Sequence, residues 1–291
     1  MNKLIVIAGP TASGKTSTAI FLAQKFHCPI VSADSRQIYQ ELNVGVARPS
    51  TQELSLAKHY FIASHSIHSP LNAGTYEKEA IALLELLFQQ HPTIILCGGT
   101  GLYIKAVLEG LDEMPHASIK IRNELQNLLE QEGIESLQNL LQKLDPDFYQ
   151  TTEIHNPQRL IRAIEIVKIS GKSNLEYRVQ HSKKRNFDTV SYYIDIERNT
   201  LYERINNRVD IMIAQGLEEE ARNLMPFKEL EPLKTVGYKE FFDFFDGKLS
   251  RQECIEKIKQ NTRNYAKRQI TWFKNQGNFT PIAPSELESL F

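Results

Sequence analysis

An α/β fold, a parallel sheet core interrupted by a helical insertion, is predicted by three observations. A β-branched apolar run, Leu4-Ile5-Val6-Ile7-Ala8, leads into Gly9-Pro10-Thr11-Ala12-Ser13-Gly14-Lys15-Thr16, and a stretch of helical period (Ala19, Phe21, Leu22, Ala23, Phe26) follows. The run Thr93-Ile94-Ile95-Leu96-Cys97 is continuously apolar, as expected of a parallel strand buried on both faces. From about 113 to 187 the strand–helix alternation stops and only helical pattern remains.

The first of these is G-x-x-x-x-G-K-[ST] between a strand and a helix, which makes the core P-loop NTPase-like. Its glycines let the backbone curl so that N–H groups point inward, and the helix that begins there adds its positive dipole end. Residues Gly9, Pro10, Thr11, Ala12, Ser13, Gly14, Lys15 and Thr16 are therefore expected to hold a diphosphate or polyphosphate. Lys15 would reach the outer phosphate and the Thr16 hydroxyl would ligate Mg²⁺.

The elements follow in order. Pro29 to Ser32 is a second short strand that ends in Ala33-Asp34-Ser35-Arg36-Gln37, polar residues where open α/β sheets build their sites. Residues 41–57 read as loop with a short helix, 59–63 as a strand, and 75–90 as a helix stopped by His91-Pro92. The strand at 93–97 runs into Gly98-Gly99-Thr100-Gly101 and a helix to about Leu108. The insertion contains helical pattern at 117–131, 134–143 and 157–170, the last with Asn156 as N-cap, Pro157 at the first position and Gly171 past the end. A polar return linker carries Lys183-Lys184-Arg185. A strand at 190–196 and helices at 198–214, 216–225, 236–246 and 250–275 complete the chain. The expected division is 1–112 with 188–291 as the core and 113–187 as the insertion.

Composition narrows the function classes. With 41% hydrophobic and 24% charged residues the chain reads as globular. It has no apolar run of membrane-spanning length and enters a strand directly, so no membrane and no signal peptide are expected. Three scattered cysteines without a C-x-x-C pair fit a reducing cytoplasm. A net charge of −1 means that any nucleic acid must be bound through local patches. The helix over 251–274 supplies one: Arg251, Lys257, Lys259, Arg263, Lys267, Arg268 and Lys274, with Tyr265, Trp272 and Phe273 interleaved. Trp272 would stack on a base or anchor the helix.

Several residues carry two readings at this level. Asp34 is a helix N-cap, or a general base or Mg²⁺ ligand beside the phosphates. The strand at 93–97 ends without the carboxylate that a hydrolytic NTPase places there, which suggests phosphates held as a leaving group. Gly98-Gly99-Thr100 is a tight turn, or places Thr100 in the cleft. Arg159 and Arg162 are a solvated helix face, or contacts to nucleic acid. Arg204 and Arg208 are surface ion pairs, or one of them reaches the phosphates. His65-x-x-His68 lacks a third ligand and reads as structural.

Taken together, Gly-Pro-Thr-Ala-Ser-Gly-Lys-Thr (9–16), Asp34-Ser35-x-Gln37-Ile38-Tyr39, Gly45-x-Ala47-x-Pro49, Gly98-Gly99-Thr100-x-Leu102-Tyr103, Gln158-Arg159-Leu160-x-Arg162-Ala163-x-Glu165, Val236-Gly237-Tyr238 and Lys267-Arg268-Gln269-Ile270-Thr271-Trp272-Phe273 closely resemble the tRNA dimethylallyltransferases of bacterial type. The resemblance covers nearly the whole chain. It implies transfer of a dimethylallyl group from dimethylallyl pyrophosphate to the exocyclic amine of the adenosine 3′ of the anticodon, with pyrophosphate leaving and Mg²⁺ assisting. It further implies Asp34 as general base, Thr100 as a contact to the nucleotide and Arg208 as a stabiliser of the leaving group. The anticodon stem-loop would be gripped by Asp34, Ser35, Arg36, Gln37 and Thr100, by Arg122 and the segment Gln158, Arg159, Leu160, Ile161 and Arg162, and by Lys267, Arg268, Gln269, Trp272 and Lys274. Gly101 and Lys239 depart from the commonest family spellings. A small-molecule or nucleoside kinase is the alternative that the first strand–loop–helix unit alone would allow, and a monomer is the default expectation.

Overall fold

The computed structural model describes residues 2–178, 182–284 and 286. The chain forms two compact units, Met1–Gly110 with Lys184–Phe291, and Leu111–Lys183.

In the first unit the chain runs β1 (Lys3–Ala8), α1 (Lys15–Lys25), β2 (Ile30–Ser32), α2 (Thr51–Leu56), β3 (His59–Tyr60), α3 (Ala73–Leu87), β4 (Thr93–Gly98) and α4 (Gly101–Glu109). The second unit holds α5 (Ile119–Glu132), α6 (Ile134–Leu144), α7 (Pro146–Thr151), α8 (Pro157–Ser170) and α9 (Asn174–Tyr177). The first unit then resumes with β5 (Asp188–Ile194), α10 (Arg198–Ala214), α11 (Leu217–Leu224), α12 (Tyr238–Phe245), α13 (Arg251–Asn275) and β6 (Thr280–Ile282).

All pairings in the sheet are parallel, in the order β3-β2-β4-β1-β5-β6. This is the α/β architecture expected from the sequence. β1 is buried from Leu4 to Ala8, and its two faces feed two apolar clusters, as a central parallel strand requires. The register sets the site. Ala8 lies opposite Gly98 and Ser32 opposite Cys97, so the loops leaving β1, β2 and β4 emerge side by side. The fit between β2 and β4 is close: a Cβ on Gly98 would stand 2.1 Å from the Ala33 carbonyl oxygen.

Two differences from the sequence reading are local. β5 begins at Asp188 rather than Val190, because Lys3 of the neighbouring β1 pairs with Asp188. β6 was not foreseen. It is an edge strand of three residues with Pro281 in its middle, a position where a missing N–H costs no ladder bond.

The second unit is closed by its own core of Leu125, Leu137, Leu141, Phe148, Leu160, Ile161, Ala163 and Ile164. α8 has the expected ends: the Asn156 side chain accepts from the N–H groups of Gln158 and Arg159, and Gly171 terminates it at φ 69°. Its buried Glu165 accepts from Ser118 N–H (2.7 Å), Arg122 Nε (3.0 Å) and Arg162 Nη1 (2.6 Å). Burial would raise this carboxyl, but those donors hold it below its ordinary value.

Candidate functional site

A cavity of about 840 Å³ opens at the carboxyl ends of β1, β2 and β4. Every residue that lines it belongs to the first unit. One wall is the loop Thr11–Thr16, whose Ala12 takes the left-handed conformation at φ 63°. Lys15 Nζ donates to the Pro10 carbonyl at 2.6 Å, and burial pulls its ammonium down to about 8, against the opposing pull of the Asp34 charge. Ser13 Oγ is fully buried with no hydrogen-bond partner. Thr16 lines the cavity and its hydroxyl makes no hydrogen bond among the described residues.

Asp34 follows β2 and turns back on its own chain. Its Oδ1 accepts from the N–H groups of Arg36 (2.9 Å) and Gln37 (3.1 Å), and Oδ2 accepts none among the described residues. One oxygen thus caps a turn rather than a helix, and the other is without a hydrogen-bond partner among the described residues at the cavity that Asp34 lines. Thr100 Oγ1 accepts from Ser35 N–H at 3.0 Å and donates to Ser35 Oγ at 3.2 Å, which ties the β2 and β4 loops together. Arg208 of α10 reaches the same cavity. It touches the Ala47 carbonyl only weakly at 3.4 Å, and burial lowers it below the usual arginine value while the Asp34 charge opposes the shift. A guanidinium keeps its charge under such a shift. Arg204 of the same helix is exposed and does not line the cavity, so of the two arginines the fold places Arg208 there.

Another wall is the segment Gly45–Pro49, fastened by three side chains. Glu220 accepts from the N–H groups of Val44 (2.8 Å) and Gly45 (3.0 Å) and from the Tyr238 hydroxyl (2.6 Å). Gln37 Nε2 donates to the carbonyls of Val46 and Ala47. Arg48 Nη2 donates to the carbonyls of Tyr39 and Gln40, and its buried Nε has no partner.

The other expected contact residues fall into two groups. Gln158 and Arg159 are exposed at the start of α8, and Lys267, Arg268 and Lys274 are exposed on α13. Arg36 and Ser35 line the cavity. By contrast, Leu160 and Ile161 are buried in the core of the helical unit, so their side chains are not offered to RNA. Arg122 and Arg162 are engaged with Glu165, and Arg162 Nη2 also donates to the Pro115 carbonyl at 2.7 Å. Gln37 is spent on the 45–49 segment, and Gln269 is buried between two backbone groups. The Trp272 ring lies on Gly101, where a Cβ would come within 2.3 Å of it, and against Phe273 and Phe279. Trp272 is packed within the fold, and a side chain at position 101 would collide with its ring. The basic face of α13 is also thinner than its composition: Arg251 pairs with Glu218, Lys259 with Asp210, and Arg263 donates to Asn206. His65 contacts Glu79 at 3.1 Å, and no metal-holding group of three or more His, Cys, Asp or Glu exists among the described residues.

Sequence reasoning gave Arg48 and Glu220 no place at the site, and read Tyr265 only as an aromatic interleaved along the basic helix. Ile258, Thr262, Tyr265 and Gln269 all line the cavity, spaced four, three and four residues apart along α13. That helical stripe of mixed polar and aromatic residues was the available signal. Burial pushes the Tyr265 hydroxyl up to about 12, eased slightly by Thr100 beside it.

The sequence pattern of the IPP transferase family matches residues 37–276. The tRNA dimethylallyltransferase of Christiangramia forsetii is 49% identical, over 94% of this chain and 90% of that protein. The tRNA dimethylallyltransferase 2 of Azobacteroides pseudotrichonymphae is 46% identical, over 99% of this chain and 94% of that protein. Among solved structures, the full-length tRNA isopentenylpyrophosphate transferase of Bacillus halodurans superposes with a TM-score of 0.72 at 31% identity, covering 100% of this chain and 94% of that one. A eukaryotic dimethylallyltransferase acting on tRNA gives a TM-score of 0.78 at 25% identity, covering 98% of this chain and 75% of that one. With a family match over most of its length and relatives this similar, the chain belongs to the IPP transferase family, that of the tRNA dimethylallyltransferases.

Proposed function

We propose that this protein transfers a dimethylallyl group from dimethylallyl pyrophosphate to the exocyclic amine of the adenosine 3′ of the anticodon in tRNA, and releases pyrophosphate. The observation that carries this reading is the pairing of a diphosphate loop with the half-free carboxylate of Asp34 in one cavity, in a chain of this family. A kinase is disfavoured by the same relatives, and by the absence of a carboxylate at the end of β4.

In the reaction the allylic carbon breaks its bond to the diphosphate oxygen, which leaves with the electron pair. The adenine nitrogen bonds to that carbon and yields its proton to Asp34 Oδ2. The amine is a weak nucleophile because its lone pair is delocalised into the ring, so proton removal as the bond forms lowers the barrier. Charge that builds on the departing diphosphate would be met by the loop N–H groups, Lys15 and Arg208. Thr100, held by Ser35, would orient the base, which must be turned out of its stack to enter. Ile62, Met212, Leu217 and Val236 supply an apolar wall for the prenyl chain.

A divalent ion fits here without an acidic cluster. The unpartnered hydroxyl of Thr16 at the cavity suits Mg²⁺, which is commonly held by few protein oxygens plus substrate phosphates. When bound, it would neutralise charge on the leaving diphosphate. Lys267, Arg268, Lys274, Gln158 and Arg159 are the exposed groups proposed to contact the anticodon stem-loop. No helix among the described residues is long and apolar enough to cross a membrane. We place the protein in the cytoplasm, with a monomer as the expected state.

The test is incubation of purified protein with unmodified tRNA, Mg²⁺ and labelled dimethylallyl pyrophosphate. Label in tRNA with release of pyrophosphate is expected. Label that stays in the donor, while phosphate moves from ATP to another acceptor, would overturn the reading in favour of a kinase.

A further inference from the structure

Gln269 of α13 reaches both halves of the cavity. Its Oε1 accepts from Thr11 N–H at 2.9 Å, and its Nε2 donates to the Gly99 carbonyl at 2.9 Å. The far side of each of those peptide groups is also held. The peptide that ends in Thr11 N–H begins with the Pro10 carbonyl, which accepts from Lys15 Nζ at 2.6 Å. The peptide that begins with the Gly99 carbonyl ends in Thr100 N–H, which donates to the Ala33 carbonyl at 3.1 Å. One amide therefore orients two peptide planes, one that presents an acceptor to Lys15 and one that precedes Thr100.

We propose that Gln269 is a positioning residue that fixes the diphosphate loop against the Thr100 turn, and is not a contact for RNA. Its side chain is buried with an acceptor and a donor both engaged, while its neighbours Lys267 and Arg268 face solvent. A rotated 10–11 peptide would withdraw the Pro10 carbonyl from Lys15 and change the curl that aims the loop N–H groups. Misplacement on the scale of one bond length reaches the chemistry without any lost substrate contact. The inference rests on the proposed transferase reading, but it concerns diphosphate binding, which can be measured alone.

Gln269→Met and Gln269→Glu are compared with wild type in the full chain. The readouts are the Kd for inorganic pyrophosphate, KM and kcat for dimethylallyl pyrophosphate, the Kd for tRNA, and Tm. Gln269→Met is expected to lower kcat/KM for the donor by up to about 10²-fold and to weaken pyrophosphate in parallel, with tRNA affinity unchanged. In Gln269→Glu the ionised carboxylate has no donor for Gly99, whereas the protonated acid offers one acceptor and one donor as the amide does. Its defect relative to wild type at each pH should therefore shrink as pH falls. A loss of tRNA affinity with pyrophosphate binding intact would overturn the proposal, as would a Gln269→Glu defect constant with pH. If Gln269→Met does not fold, the pH profile of Gln269→Glu decides. Wild type that binds pyrophosphate but moves no label to tRNA would sink the transferase reading and leave the Gln269 result to stand or fall on pyrophosphate.

Discussion

The core of the helical unit satisfies its buried charges, whereas the cavity of the α/β unit leaves several polar groups open. In the helical unit Glu165 is surrounded by donors from Ser118, Arg122 and Arg162, and Asp145 accepts from Ser173 Oγ and from both N–H groups of Asn174. In the α/β unit the cavity keeps Ser13 Oγ and Arg48 Nε buried without partners, leaves Asp34 Oδ2 and the Thr16 hydroxyl open, and gives Arg208 one long contact. A satisfied buried charge specifies structure, and a partner lost there costs the full desolvation of the group left behind. Polar groups held unsatisfied around a cavity are kept for a ligand.

The contrast breaks most visibly at Asp34. Asp34→Asn keeps an oxygen to accept from Arg36 and Gln37 N–H but cannot take a proton. Turnover should fall by roughly 10²-fold or more with tRNA affinity retained, and near-normal turnover would remove Asp34 as base. Lys15→Ala should follow, with a loss of about 10²-fold in donor kcat/KM and an unchanged tRNA Kd from filter binding.

In the helical unit the expected sign is different. Glu165→Ala strands the Ser118 N–H and two guanidinium groups, so denaturant unfolding should show a loss of roughly 1–3 kcal/mol while donor KM stays put. Because Glu165 titrates below its ordinary value of 4.5 in the fold, its stabilisation is complete above that value and is lost as pH falls through the lower folded one. A donor KM that moved with Glu165 would blur the division between the units. Replacing Lys267 and Arg268 together should weaken tRNA binding and flatten its salt dependence by about one unit of slope per lost phosphate contact, with little change in Tm.

The smallest effect is a proton count at Lys15. Its folded value of about 8 lies below the ordinary 10.5, so between those values the unfolded chain binds more protons and stability rises with pH. Bound pyrophosphate favours the ammonium and reverses that shift. Calorimetry slightly above pH 8 in buffers of different ionisation enthalpy should find a fraction of a proton taken up, and less in Lys15→Met.

Much of the site was legible because its signals are local. The strand, loop and helix around residues 4–26 follow from apolar period and glycine spacing, and α8 from Asn156, Pro157 and Gly171 at its ends. Asp34 and Thr100 were marked by their places after strands, and the neighbouring register of β2, β4 and β1 brings them together. What was missed or misassigned depends on partners far along the chain. Gln269 stands 258 residues from Thr11 and 170 from Gly99, and Glu220 lies 175 from Gly45. Leu160 and Ile161 sat inside a family motif, yet helical geometry turns them to the core between exposed Arg159 and half-buried Arg162.

By itself, then, the sequence determined that a glycine-rich loop between a strand and a helix opens an α/β core, that a helical segment interrupts it, and which family the chain resembles. Those properties are written in periodicity and short spacings. Only the tertiary structure decided which cations and amides remain available, because a polar side chain is spent or free according to what packs beside it. Arg122, Arg162 and Gln269 found partners within the fold. Lys15, Arg208 and the open oxygen of Asp34 were left facing the cavity.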